Sequence, residues 1–313
     1  MMKWYLAGMV VLAVALAAAL GLVDATDGTS EAPQRAPETA AAADTARADA
    51  CTVVRPPTRL PREVQETSGL ALGAAGVLWT HNDAGGRPEL YGFDTAGRLV
   101  ARVAVTGAGL TDWEDVDAAP CGQEACLFIG DIGDNDGVRD HITIYRVPEP
   151  EDGQEAVPAT AYHARYPEGP QDAEGLIATP GGDLFILTKG AHGPVRLYRM
   201  PRTRQAGALH PLELVREVAP RPNRRSNQVS AATASQDGRW AAFRTYDTLY
   251  FFEADALFGP ASVQPAATFD LRPLGEPQGE ALALGAGGAV WLTSEAAGGG
   301  EPFLTGLSCP FEG

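Results

Sequence analysis

Three glutamates and two serines recur at matching places in five short stretches of the sequence. The stretches are TSGLAL (67–72), WEDVDA (113–118), AEGLIA (173–178), VSAATA (229–234) and GEALAL (279–284). Their second residues are Ser68, Glu114, Glu174, Ser230 and Glu280. Carboxylate and hydroxyl oxygens are ligands that calcium prefers in proteins. If the five stretches lie side by side, these residues form a candidate calcium site.

The elements around each stretch predict how the five could meet. Each stretch is followed by a glycine-type turn and two further β-rich runs, such as GVLWTHND (76–83) and ELYGFD (89–94). The matching residues are spaced by 46, 60, 56 and 50 positions, as expected for propeller blades. We therefore predict an all-β, five-bladed β-propeller whose first strands line a central channel. A six-bladed ring with one degenerate blade and a sandwich are the alternatives.

The two ends of the folded region are predicted to meet. The fifth unit lacks a fourth strand, and the extended segment CTVVRPPTRLP (51–61) can supply it. Cys51 would then lie near Cys309. Of the three pairings open to four cysteines, we prefer Cys51 with Cys309 and Cys121 with Cys126. A zinc site is disfavoured because the sequence has no CxxC pair and no histidine cluster near these positions.

The three glutamates of the ring would repel one another inside a narrow channel. At about 5 Å and an effective dielectric constant near 20, each pair of carboxylates costs about 3 kcal/mol. A bound cation removes this cost, and calcium tolerates an irregular ring of oxygens better than magnesium does. The alternative is that the glutamates are solvated and hold no ion. Asp112 and Asp115 fall outside the ring position and are predicted to support the site or to cap loops.

The ring residues carry a resemblance to a known family. The Ser/Glu/Glu/Ser/Glu succession on five blades resembles the calcium-activated nucleotidases, the secreted apyrases, over about residues 51–309. This resemblance implies calcium at the propeller axis, held by Ser68, Glu114, Glu174, Ser230 and Glu280. The wider loop motifs of the nucleotidases are not recognisable. Phrases such as WTHNDAG, DWEDVD and QGEAL are more similar to a group of secreted bacterial propellers without an assigned activity.

Polar residues at strand ends are expected on the same face as the ring. Lys189 and Arg244 end equivalent second strands and could bind a phosphate or carboxylate, or else neutralise neighbouring acids. His81 is a candidate for proton transfer near neutral pH, with Asp83 beside it, although a structural histidine is an equal alternative. The stretches HNDAGG (81–86) and GDNDG (133–137) are also rich in ordinary turn formers.

Composition and the N-terminus limit where the protein works and what it binds. The formal net charge of −16 over 313 residues disfavours nucleic acids and anionic membrane surfaces as partners. Residues 1–25 are predicted to be a signal peptide or an anchor, residues 26–50 a disordered linker, and residues 51–313 the propeller. We therefore expect a secreted or cell-envelope monomer, with no membrane contact once the signal peptide is cleaved, that binds a small anionic substrate or an extracellular ligand.

Three functions are compatible with these residues. In the first, calcium-dependent hydrolysis of a phosphate ester or anhydride, Lys189 and Arg244 hold the anion while His81 or Asp83 handles the proton. In the second, calcium only fixes the hub, and the polar face binds a glycan, peptide or protein. Hydrolysis of an ester or lactone is the third, and the fold alone does not choose among them.

Overall fold

The fold was analysed in a computed structural model, which describes residues 51–83, 86–260, 263–296 and 300–310. The predicted signal peptide or anchor (1–25) and linker (26–50) lie outside the described residues. Within that part of the chain, 22 strands, β1 to β22, form five sheets that are antiparallel except at two outer edges. No helix among the described residues is long and apolar enough to cross a membrane.

The five sheets are the blades of the predicted propeller. Blade 1 contains β2 (Thr67–Leu72), β3 (Leu78–Asn82), β4 (Glu89–Phe93), β5 (Leu99–Thr106) and β9 (Ala156–Pro158). Blade 2 contains β6 (Trp113–Cys121), β7 (Glu124–Asp131), β8 (Ile142–Pro148), β10 (Thr160–Arg165) and β14 (Leu209–Pro211). Blade 3 contains β11 (Ala173–Ala178), β12 (Leu184–Thr188), β13 (Val195–Met200) and β15 (Glu213–Ala219).

The remaining two blades complete the ring. Blade 4 contains β16 (Val229–Ala234), β17 (Trp240–Thr245), β18 (Thr248–Glu253) and β19 (Ala267–Asp270). Blade 5 contains β20 (Gln278–Leu284), β21 (Ala289–Glu295), β22 (Phe303–Ser308) and, at its outer edge, β1 (Thr52–Arg59). The described residues also form one short helix, α1 (Ala254–Phe258), and four 3-10 turns, Arg62–Val64, Arg225–Asn227, Arg272–Leu274 and Ala286–Gly288.

The ring closes as the sequence predicts. The N-terminal strand β1 pairs antiparallel with β22, and disulfides join Cys51 to Cys309 and Cys121 to Cys126. The described residues form five large hydrophobic clusters, and each cluster lies between two neighbouring blades. The five-bladed prediction and both preferred disulfide pairings are therefore confirmed.

A β-bulge occurs in the first strand of every blade. The pairing of first and second strands shifts register at Ser68/Ala71, Trp113/Asp115, Ala173/Gly175, Val229/Ala231 and Gly279/Ala281. Four ring residues, Glu114, Glu174, Ser230 and Glu280, are the unpaired residues of these bulges, while Ser68 directly precedes the fifth. Since a bulge redirects a side chain out of the regular alternation, it presents the ring residues to the channel.

Blade 1 needs a glycine at its bulge. Gly69 has a φ of +67°, and a Cβ added there would lie 2.5 Å from the backbone nitrogen of Val116 in blade 2. The first strands of blades 1 and 2 therefore approach each other more closely than any side chain at position 69 allows.

The strands β9 and β14 were not predicted from the sequence. They are three-residue strands in the excursions of blades 2 and 3, and each pairs in parallel with the outer strand of the preceding blade. The outer edges of blades 1 and 2 are thereby covered by one extra strand each.

Candidate metal centre

The bulges of the first strands open onto a polar cavity of about 160 Å³ at one end of the channel. Six carboxylates line it, namely Asp83, Asp112, Glu114, Glu174, Glu280 and Glu295. The other lining residues are Ser68, Asn135, Lys189, Arg225, Tyr246 and Gln278. Four of the five predicted ring residues therefore meet in one cavity.

Ser230 is the ring residue that does not line this cavity. It is fully buried, and its Oγ donates a hydrogen bond of 2.8 Å to the carbonyl oxygen of Gly279 in blade 5. Ser68 makes the equivalent bond, also 2.8 Å, to the carbonyl oxygen of Glu114 in blade 2. Each serine hydroxyl thus joins its blade to the next one.

Three buried carboxylates come close enough to share one cation. Glu114, Asp172 and Glu174 each offer an oxygen within 4.8 Å of the others. The backbone N–H of Asp134 donates to Oδ1 of Asp172 at 2.9 Å. Oδ2 of Asp172 is buried, accepts no hydrogen bond from the described residues, and lies 3.7 Å from Nζ of Lys189. Asp172 directly precedes β11, two residues before Glu174.

Glu280 faces the same space from blade 5. Its Oε1 accepts a hydrogen bond of 2.6 Å from Nε2 of Gln278, whereas its Oε2 is buried and has no hydrogen-bond partner among the residues that the structure describes. A buried carboxylate oxygen without a donor is costly, because it loses its hydration and gains nothing in return. This oxygen of Glu280 marks the cavity as a place for a cation.

Electrostatics agree with the geometry. Burial, and then the charges of Glu174 and Asp112, raise the pKa of Glu114 well above its usual value. Burial and the charge of Glu174 do the same for Glu280. Burial raises the pKa of Glu174 to about 7 despite the opposing effect of Lys189. Each of these shifts means that the cluster disfavours the ionised form of the carboxyl group relative to water, an effect that a bound cation would oppose.

Lys189 is the cation that the protein itself supplies to the cluster. Its Nζ forms an ion pair with Oε1 of Glu174 and lies 3.7 Å from Oδ2 of Asp172. It also donates to Oδ1 of Asn135 at 3.4 Å. Although burial opposes its charge, the two carboxylates raise the pKa of Lys189 above its usual value. Lys189 is therefore charged and lies in the predicted site.

Arg244 is not among the residues that line the cavity. It is fully buried, and its Nη2 pairs with Oε2 of Glu276 at 2.5 Å, while Nη1 donates to the carbonyl oxygen of Ala281. The guanidinium that reaches the cavity is that of Arg225, which lies 5.7 Å from the ring centre of Tyr246 and forms no ion pair with any described residue. Arg225 was not predicted, because it precedes the first strand of blade 4 in an arginine-rich segment that has no counterpart in the other repeats.

The two proton-transfer candidates lie in different environments. His81 is fully buried outside the cavity, packs edge-on against Trp113 at 5.4 Å, and has its Nδ1 3.2 Å from the carbonyl oxygen of Asn82. Burial lowers its pKa to about 4, so the imidazole is neutral at pH 7. Asp83 lines the cavity. Asp112 also lines it, and burial together with the charge of Asp172 raises its pKa to about 6.

Further along β6, Asp115 is tied to three blades. Its Oδ1 accepts the N–H of Val116 at 2.9 Å, and its Oδ2 accepts those of Leu176 in blade 3 and Ala232 in blade 4, at 2.8 and 3.2 Å. Burial raises its pKa well above the usual value, although these hydrogen bonds oppose the shift. Asp115 supports the hub and does not line the cavity.

Asp117 repeats this arrangement two residues later. Its Oδ1 accepts bonds from the N–H of Ala118 and the hydroxyl of Thr233, at 2.9 and 3.1 Å, and its Oδ2 accepts the N–H of Ala178 at 2.8 Å. Burial raises its pKa to about 7. The two aspartates bind blade 2 to blades 3 and 4 through bonds that no sequence pattern revealed.

Comparison with known proteins supports the fold only. The structure is similar to the PQQ-bound aldose sugar dehydrogenase of Streptomyces coelicolor, with a TM-score of 0.50 and 12% identity over 82% of this chain and 97% of that chain. Two others are the allergen Mala s 1 of Malassezia sympodialis (TM-score 0.48, 9% identity, 82% and 95% covered) and the calcium-binding protein regucalcin of Agrobacterium tumefaciens (0.41, 14%, 83% and 98%). No family model and no curated protein matches the sequence.

Proposed function

We propose that the axial cavity binds calcium through Glu114, Glu174 and Glu280, with Ser68 and Asp172 beside them. The observation that carries this proposal is the buried Oε2 of Glu280, which has no hydrogen-bond partner in the described part of the chain and lines a cavity of six carboxylates. Every candidate ligand atom is an oxygen, and the three glutamates come from three separate blades. Such a set suits calcium, which accepts six to eight oxygens in irregular geometry.

Binding can be tested by calorimetry and thermal unfolding of the exported chain. Calcium added to EDTA-treated protein should release heat and raise the melting temperature, because it binds the folded state. Glu280→Gln should weaken binding by about tenfold or more, since a carboxylate ligand is lost. Glu253→Gln removes an exposed carboxylate at the outer end of β18 and serves as the matched control. An unchanged response in Glu280→Gln would rule out this ligand set.

We further propose that the loaded site hydrolyses a small phosphate ester or anhydride. Arg225 and Lys189 supply positive charge at the cavity for the anionic group. Asp112 is the residue we assign to accept a proton from water, because it lines the cavity and its pKa is about 6. Bound calcium would supply charge to polarise a phosphoryl oxygen. These residues replace Arg244 and His81, which do not line the cavity.

A substrate panel tests this activity. Purified protein with calcium would be assayed against nucleoside diphosphates, p-nitrophenyl phosphate, aryl esters and lactones. The proposal expects turnover of a phosphate compound that EDTA abolishes and that Asp112→Asn lowers by about 100-fold or more. Turnover of esters or lactones alone would redirect it to those substrates. Inactivity across the panel with calcium bound would favour a binding role for a glycan, peptide or protein.

We also propose that the protein works outside the cytoplasm as a monomer. The two disulfides support this location, because such bonds persist in oxidising compartments. Fractionation of cells that produce the full chain, followed by thiol labelling, would test it. Recovery in the cytoplasm with four free thiols would contradict the proposal, and light scattering would check the monomer.

A further inference from the structure

Lys189 occupies the position that a metal ion needs. The three carboxylates that could share one cation are Glu114, Asp172 and Glu174, and Nζ of Lys189 pairs with one and lies 3.7 Å from another. An ammonium group and a calcium ion cannot both take the inward oxygen of Glu174, because two positive charges at that distance repel strongly. Binding of a divalent cation therefore requires Lys189 to move.

The surroundings of Lys189 provide a place for its ammonium group to move to. Its side chain is 13% exposed and lines the cavity. Oδ1 of Asn135, an exposed residue at the rim of the cavity, already accepts a bond from Nζ at 3.4 Å. A small rotation of the lysine side chain would exchange Glu174 for Asn135. Arg225 lies in the same cavity lining, so the released ammonium would join a second positive charge.

We propose that Lys189 is a displaceable counter-ion that couples the binding of a divalent cation to the binding of an anionic ligand. In the calcium-free protein, Lys189 neutralises Glu174 and is held there. When calcium takes Glu174, Lys189 moves to the rim and, with Arg225, binds an oxyanion such as a phosphate or sulfate group. This inference rests on the proposed calcium site and adds to it a mechanism of regulation.

Thermodynamic linkage determines how calcium binding and anion binding must affect each other in this mechanism. If calcium frees Lys189 for the anion, then calcium raises the affinity for the anion, and the anion raises the affinity for calcium by the same factor. Direct attraction between calcium and the anion would also couple the two ligands, but that coupling would survive the loss of Lys189, whereas coupling through Lys189 would not. A lysine that never left Glu174 would block calcium altogether.

Calorimetry of the full chain with calcium chloride tests the competition. Lys189→Met should bind calcium about tenfold more tightly than wild type or better, because the competing charge is gone. Arg225→Met removes an equal charge from the same cavity but leaves the Glu174 ion pair intact, and it should gain clearly less. If Lys189→Met folds only in the presence of calcium, that requirement supports the competition, since calcium then replaces the missing counter-ion.

The outcomes separate this inference from the proposed calcium site. Calcium binding by wild type with equal or weaker binding by Lys189→Met would overturn the inference and leave the site standing. Binding by Lys189→Met alone would support the competition and refute calcium binding by the natural protein. No binding by either variant, both shown to be folded, would end both.

Sulfate is the probe for the coupling. Titration of sulfate into wild type should show an affinity at least about fivefold higher with saturating calcium than with EDTA, which is the lower range of allosteric coupling. Lys189→Met should lose this difference, and Lys189→Arg should keep part of it. Equal sulfate affinity with and without calcium in wild type would contradict the coupling even if the competition holds.

Discussion

Two adjacent residues of β6, Glu114 and Asp115, are both buried acids in the channel, yet they differ in how their oxygens are satisfied. Both oxygens of Asp115 accept backbone N–H groups, which come from three blades. The carboxylate of Glu114 instead lies among other carboxylates in the axial cavity, and the bulge at Trp113/Asp115 turns it there. Asp115 therefore holds the ring together, whereas Glu114 is available to a ligand.

The contrast gives a rule for reading buried acids in this fold. A carboxyl group whose two oxygens accept N–H groups has its hydrogen bonds supplied by the protein, even where burial keeps its pKa high, as in Asp115. One that faces other carboxylates gains its stability from whatever cation reaches it. Burial alone does not separate the two, since Asp115 and Glu280 are 0% and 6% exposed. Their hydrogen-bond partners do.

The largest test of the contrast is removal of each carboxylate in calcium-free buffer. Asp115→Ala leaves the N–H groups of Leu176 and Ala232 without acceptors and should lower the free energy of unfolding by about 4 kcal/mol. Glu280→Ala removes a carboxylate that repels its neighbours, so it should change the free energy of unfolding by less than about 1 kcal/mol, in either direction. Urea unfolding followed by fluorescence measures both.

The same pair should respond to calcium in opposite ways. Saturating calcium should stabilise Asp115→Ala as much as wild type, provided the variant folds, and should stabilise Glu280→Ala much less. Equal losses of stability in the two variants without calcium would mean that the cavity carboxylates also serve as structural supports.

The second test is the pH dependence of stability. Glu174 has a folded pKa of about 7 against an ordinary value of 4.5, so the folded state holds this proton more tightly than the unfolded state does. Its contribution is fully present below about pH 4.5 and is lost as the pH rises through about 7, a change of about 3 kcal/mol. Thermal unfolding of EDTA-treated protein between these pH values should show the fall.

Added calcium separates the pH effect of Glu174 from that of Asp117. Calcium should reduce the loss from Glu174, because it favours the ionised carboxylate. Asp117 also has a folded pKa of about 7, but it is hydrogen-bonded to backbone groups and does not line the cavity. Its contribution to the pH dependence of stability should therefore persist when calcium is added. A pH dependence that calcium leaves unchanged would place the whole effect on the hub aspartates.

The fold was largely predictable from the sequence because the blades repeat. The residues of the cavity were predictable only in part. Five first strands share one pattern, and this pattern by itself predicts that Glu114, Glu174 and Glu280 lie together. The short strands β9 and β14 were not predictable, since three residues that include a proline carry no β periodicity. Their pairing depends on where the excursions of blades 2 and 3 pass in space.

The cations show where reasoning from equivalent positions fails. Lys189 and Arg244 end equivalent second strands, but only Lys189 lines the cavity. Arg244 has a partner, Glu276, in the loop before blade 5, and this residue has no counterpart in the repeat. Such pairs depend on loops that differ between blades, so the sequence pattern predicts the position of a charge and not the partner it finds.

The smallest test separates the two serines of the predicted ring. Ser68 and Ser230 donate matching hydrogen bonds to the next blade, but only Ser68 lines the cavity. Each substitution to alanine should cost about 1 kcal/mol of stability, the usual value of one hydrogen bond. Ser68→Ala should also weaken calcium binding by about threefold to tenfold, because a hydroxyl oxygen beside the ion is lost. Ser230→Ala should leave calcium affinity within about twofold of wild type, as measured by calorimetry, because its hydroxyl lies outside the cavity. Equal losses of affinity in both variants would restore Ser230 to the metal site and show that the ring binds calcium through all five blades.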